Sequence, residues 1–135
     1  MIKIEEAGII WIDIKNPTKE SIASVEPILK LHPIVKRELL LPAFRAKADV
    51  YDDAMCYLVL HFPVFDEASK IAQPQELDFV ITKKTLLTAH YENIPALEEV
   101  IKELTENEKM RKRIMHINTV RLVHEIILRH FNFAG

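Results

Sequence analysis

Apolar and polar positions change period several times along the chain, and each change marks an element. The first clear run, GIIWIDI over residues 8–14, is rich in β-branched and aromatic side chains and predicts a strand. Asn16-Pro17-Thr18 ends it, because Pro17 removes a donor while Asn16 or Thr18 can cap a following helix. TKESIASVE predicts that helix over residues 18–26, with Ile22 and Val25 inward and Pro27 stopping it. LHPIVKRELLL predicts a second short helix over residues 31–41. His32 is its cap, Pro33 lies in its first turn and Pro42 closes it.

A period of two then takes over. AKADVYDDAMCYLVLHF, residues 46–62, reads as a hairpin that turns at Asp52 and Asp53. Cys56, Leu58, Leu60 and Phe62 form its expected core side, alternating with Tyr57, Val59 and His61. ASKIAQPQ, residues 68–75, reads as a polar connection. ELDFVITKKTLLTAHY, residues 76–91, predicts a second hairpin turning at Lys83 and Lys84. NIPALEEVIKELTEN predicts a helix whose inner face carries Ile94, Leu97, Ile101 and Leu104. A last helix is expected over residues 109–130. Val120, Val123, Ile127 and Phe131 share one of its faces, and Leu122, Ile126 and Leu128 spread onto a second. So apolar a helix calls for something further to pack against.

Strand, helices, about four strands, then helices predicts fold class α/β (α+β): a mixed, partly antiparallel sheet flanked by helices in a sandwich. The strand before the first helices supplies the parallel pair. No repeat or low-complexity tract divides the chain, so one domain over residues 1–135 is expected.

Composition narrows the function classes. A hydrophobic fraction of 49% and only two glycines fit an ordered unit with its own core. A net charge of −2 leaves no basic footprint for nucleic acid. One cysteine cannot form an internal disulfide, so a reducing compartment is the expectation. The N-terminus lacks the pattern of a secretory signal, and no segment approaches the ~20 apolar residues that cross a bilayer. A soluble, cytoplasmic chain is expected on these grounds.

The residues that could carry chemistry have plainer readings beside them. Asp52-Asp53 could be half of a metal site, but adjacent turn carboxylates diverge. The six histidines, His32, His61, His90, His116, His124 and His130, show no zinc-ligand spacing. Cys56 reads as a buried structural thiol. KMRKR, residues 109–113, could touch anionic lipid or RNA, or be a solvated helix start opposing the helix dipole. Neither a glycine-rich phosphate loop nor a GxSxG elbow is present, and no enzyme is expected.

Taken in order, WIDIKNPTKES, LHPIVKRELL, FRAKADVYDDAMCYLVLHF, ELDFVITKKTLLTAHYENIP and LVHEIILRHF resemble the N-terminal cytoplasmic domain of CorA-like divalent-cation transporters. The resemblance covers residues 9–133. It implies an α/β/α cytoplasmic domain that in the family precedes a stalk helix and two membrane helices, with a Gly-Met-Asn signature closing the first. This chain contains neither membrane helix nor signature. By resemblance, the partners are further copies in a homopentamer at the cell inner membrane, and the cargo is Mg²⁺, Co²⁺, Ni²⁺ or, in a related branch, Zn²⁺. Mg²⁺ or another divalent cation at subunit interfaces would be the regulatory ligand. The family's acidic pair after the HP turn falls here on Arg37 and Glu38, so Glu38 is the one metal candidate. Further family aspartates fall on Leu128 and Asn132. Arg45 and Lys47, in FRAK, read as structural or interfacial. Two alternatives stay open: a stand-alone soluble module of the same fold, and a small enzyme on an α/β scaffold, which would need a pocket gathering Asp52, Asp53, Glu38 or a histidine.

Overall fold

In the computed structural model the backbone is described for residues 1–134 and side-chain surroundings for residues 1–131. The strands are β1 (Ile2–Glu6), β2 (Ile9–Lys15), β3 (Lys47–Tyr51), β4 (Met55–Asp66), β5 (Ile71–Ile81) and β6 (Thr85–His90). The helices are α1 (Lys19–Val25), α2 (Pro33–Glu38), α3 (Pro95–Glu106), α4 (Glu108–Ile114) and α5 (Val120–Ala134). One sheet runs in the order β1-β2-β6-β5-β4-β3. Only the β2–β6 pair is parallel; the others are antiparallel.

Both faces of the sheet are covered, giving three layers. On one side Ile12, Ile14, Tyr57, Val59, Val80 and Leu87 pack with Ile22, Val25 and Val35 of α1 and α2. On the other, Ile9, Trp11, Phe62, Leu77, Phe79 and Leu86 pack with Leu97, Leu104, Ile114, Leu122 and Ile126 of α3, α4 and α5. Alternation along the inner strands β2, β5 and β6 therefore sorts residues between two cores, not between core and water. Thr18 caps α1 through the Ser21 amide, and His32 caps α2 by accepting from the Ile34 amide at 3.2 Å.

Several sequence expectations change. β1 is an extra strand, and it joins β2 through Ala7 and Gly8, both at positive φ as a tight hairpin turn requires. The expected connection over residues 68–75 shrinks to a turn at residues 67–70. Asp66 builds that turn, accepting from the Ala68 amide and the Ser69 hydroxyl, and Ile71 already pairs as strand. Cys56 is half-buried because Met55, Tyr57 and Val59 hold the drier phase of β4.

The single last helix is two. Met115 ends α4, Ile117 takes φ 70°, and Asn118 accepts from the Val120 amide to start α5. The Thr119 hydroxyl donates to the Thr82 carbonyl and Lys84 to the Ile117 carbonyl, so the sheet pins the break. The buried stripe of α5 is Leu122, Ile126 and His130, with Val123 and Ile127 beside it; Val120 and Phe131 are exposed. In α4 the acid Glu108 lies in the first turn and Arg111, Lys112 and Arg113 in the last, so the basic run complements the dipole instead of opposing it.

Candidate functional site

Glu38 ends α2, and the chain then crosses residues 39–46 to the edge strand β3. Lys47 opens β3 and forms an ion pair with Glu38; Asp49 lies 3.8 Å from the same ammonium. The ammonium also sits 5.2 Å from the centre of the Tyr57 ring. Burial works against the charge of Lys47, but Glu38 outweighs it and raises the ammonium's pKa. Arg37, Glu38, Phe44, Arg45 and Lys47 line a surface cleft of about 510 Å³. Phe44 is 98% exposed at its rim.

A buried polar layer lies beneath this cleft. Glu76 and Asp78 are two residues apart on β5, so both face the α1–α2 side. Glu76 Oε1 accepts from the Ala43 amide at 2.7 Å, while His61 Nε2 donates to the Ala43 carbonyl at 2.9 Å. The 39–46 segment is thus tied down through both backbone groups of one alanine. Tyr91 adds a bond from its hydroxyl to the Leu39 carbonyl at 3.1 Å. Tyr57 donates to Asp78 Oδ2 at 3.3 Å. Burial, and next the Glu76 carboxyl alongside, push Asp78 up to about 9. A neutral Asp78 can donate its proton to Glu76, which accounts for the two buried oxygens, Glu76 Oε2 and Asp78 Oδ1, that otherwise lack partners.

A second polar network crosses the opposite face. Trp11 Nε1 donates to Thr88 Oγ1 at 2.9 Å, and Thr88 donates to Asp13 Oδ1 at 2.6 Å. His90 meets Asp13 Oδ2 through Nε2 at 2.9 Å and the Glu92 carbonyl through Nδ1 at 2.7 Å. Both of its ring nitrogens face acceptors, an arrangement that favours the doubly protonated imidazolium. Burial opposes that charge, and Asp13 overcomes it, leaving the pKa of His90 raised.

The remaining sequence candidates do not converge. Asp52 and Asp53 are exposed at positive φ in the β3–β4 turn. His116 and His124 are exposed, and His130 is buried on α5. Leu128 is exposed; the side chain of Asn132 lies outside the described residues. Among the described residues no three His, Cys, Asp or Glu side chains gather as a metal site, and no helix is long and apolar enough to cross a membrane. Sequence reading missed Asp13, Glu76 and Asp78. Their signal was a charged residue inside an otherwise apolar strand, as in WIDI and ELDFV.

The family model described as CorA-like Mg²⁺ transporter protein matches residues 6–135. The chain belongs to this CorA-like family. A search of curated proteins by sequence finds no match. Among solved structures, the CorA magnesium transporter from Methanocaldococcus jannaschii superposes with TM-score 0.69 at 19% identity, over 98% of this chain and 40% of that one. The ZntB cytoplasmic domain from Vibrio parahaemolyticus RIMD 2210633 gives 0.72 at 14% identity, over 92% and 48%. Full-length CmaX gives 0.75 at 10% identity, over 93% and 37%. These likenesses show the CorA soluble-domain fold. This CorA-like chain spans less than half the length of each of them.

Proposed function

We propose that this chain is the cytoplasmic regulatory and assembly domain of a CorA-like divalent-cation transporter, a single domain followed in the parent protein by stalk and membrane helices. The observation that carries the reading is the family match over residues 6–135. The mechanism is conformational: divalent cations between neighbouring domains of a homopentamer favour a closed assembly, and their loss loosens it.

Glu38 is the regulatory ligand this reading assigns. Lys47 holds its carboxylate, so a cation must displace an ammonium. One carboxylate fills only part of the oxygen shell of Mg²⁺, so a neighbouring subunit and water supply the rest. Calorimetric titration with Mg²⁺, Co²⁺ and Zn²⁺, alongside native mass spectrometry, tests this. Cation-dependent association is expected in the wild type and not in Glu38→Gln. Association that ignores cations in an intact pentamer would remove the sensing role and leave the family membership standing.

A further inference from the structure

The β4–β5 ribbon runs beyond its neighbours. β3 pairs β4 only as far as Val59, and β6 pairs β5 only from Leu77. Past these points no other strand pairs with the ribbon among the described residues. Pro63 and Pro74 oppose each other there. Neither has an amide hydrogen, so they occupy a site without ladder bonds, and the missing donors fall on the two outer edges. Such edges refuse an added strand.

The faces of the ribbon are nevertheless apolar. Phe65 and Ile71 are 56% and 53% exposed. A cleft of about 380 Å³ separates the ribbon from the start of α3, with Phe62, Phe65, Ile94, Pro95 and His130 among its walls. That volume lies within the ~300–1,000 Å³ of small-molecule sites. His130 is 4% exposed. Its Nδ1 lies 2.6 Å from the Ile126 carbonyl, which can only accept, so Nδ1 carries the hydrogen. Burial lowers the pKa of the ring and so favours its neutral form. Nε2 is then a bare acceptor, buried and without a partner among the described residues. Phe62 stacks on His130 at 4.3 Å, and Phe131 meets Phe62 edge-on at 6.4 Å.

We propose that this cleft binds a small planar apolar molecule carrying one hydrogen-bond donor, with His130 Nε2 as its acceptor. Flat ring and proline walls select the shape, and the orphaned acceptor selects the donor. Glu67, exposed and 3.7 Å from Lys70, is the charged residue of the lining; an anionic ligand is disfavoured, because its charge would meet that carboxylate and be desolvated against the apolar walls. Nε2 is sealed from solvent, so binding requires neighbouring groups to shift.

Heteronuclear NMR on the chain, with indole and its donorless isostere indene as probes, tests the site. Both should move resonances of Phe62, Phe65 and Ala96. Indole should bind about fivefold more tightly, the worth of one neutral hydrogen bond. Indole alone should move the Nε2 nitrogen toward its protonated value. In His130→Phe, indene binding should persist and the preference for indole vanish. Absence of binding by both probes at millimolar concentration, equal affinities in the wild type, or an unmoved Nε2 would each overturn the proposal. None of these readouts depends on the cation role.

Discussion

Asp78→Asn is the most direct probe of the buried polar layer. Asp78 is 1% exposed and is pushed up to about 9 from an unfolded-chain value of 3.8. The sign follows from these two values. Below about pH 4 both folded and unfolded chains hold the proton, and nothing is gained or lost. Between pH 4 and 9 the unfolded chain releases a proton that the folded one keeps, so stability falls by up to ~1.4 kcal/mol per pH unit. By pH 7 the accumulated cost approaches about 4 kcal/mol, taken as an upper limit. Asparagine keeps the shape and abolishes the linkage: its oxygen accepts from Tyr57 and its amide donates to Glu76. The variant should match the wild type near pH 4 and exceed it at pH 8 by about 2–4 kcal/mol, or roughly 4 °C in Tm for each kcal/mol. Urea unfolding at a series of pH values reads this. Parallel profiles from pH 4 to 9, or a variant less stable at pH 8, would show that Asp78 is ionised in the fold.

Other expectations rest on separate features. His90 should titrate by NMR above 6.5, with the stability of its pair complete below that value and lost as pH rises through the raised one; Asp13→Asn should therefore cost about 3–5 kcal/mol at pH 6 and less at pH 9 in urea unfolding. Replacing Pro63 and Pro74 together by Val should open the ribbon edges and give concentration-dependent association in size-exclusion chromatography; an unchanged elution would contradict the guarding role. Ile117→Gly should raise stability by ~1 kcal/mol, because a β-branched residue is held at φ 70° with its side chain 68% exposed; a lower Tm would count against strain there.

Local signals were legible and distant ones were not. The caps Thr18 and His32 and the turns at Asp52-Asp53 and Lys83-Lys84 are short-range features, and the structure keeps them; the stripe of α3 is kept at Leu97 and Leu104, with Val100 more deeply buried than Ile101. The parallel β2–β6 pair followed from element order. The break before α5 carries no glycine or proline; contacts of Thr119 and Ile117 with the β5–β6 turn decide it. β1 alternates isoleucine with charge over Ile2–Glu5, a period-two signal too short to stand out, and it pairs with β2. Asp13 and His90 are 77 residues apart, so nothing local links them. The side of Cys56 was misread because alternation cannot tell two cores from one core and water. Glu38 could be singled out only through resemblance, since its local pairing with Lys47 has nothing metal-like about it.

The measurement that bears most directly on the transporter reading is the sequence of the source gene past the codon for Gly135. The frame is expected to stay open through a long charged helix into two apolar segments, with Gly-Met-Asn closing the first. A stop codon directly after Gly135 would contradict it, and the chain would then be a free-standing member of the family.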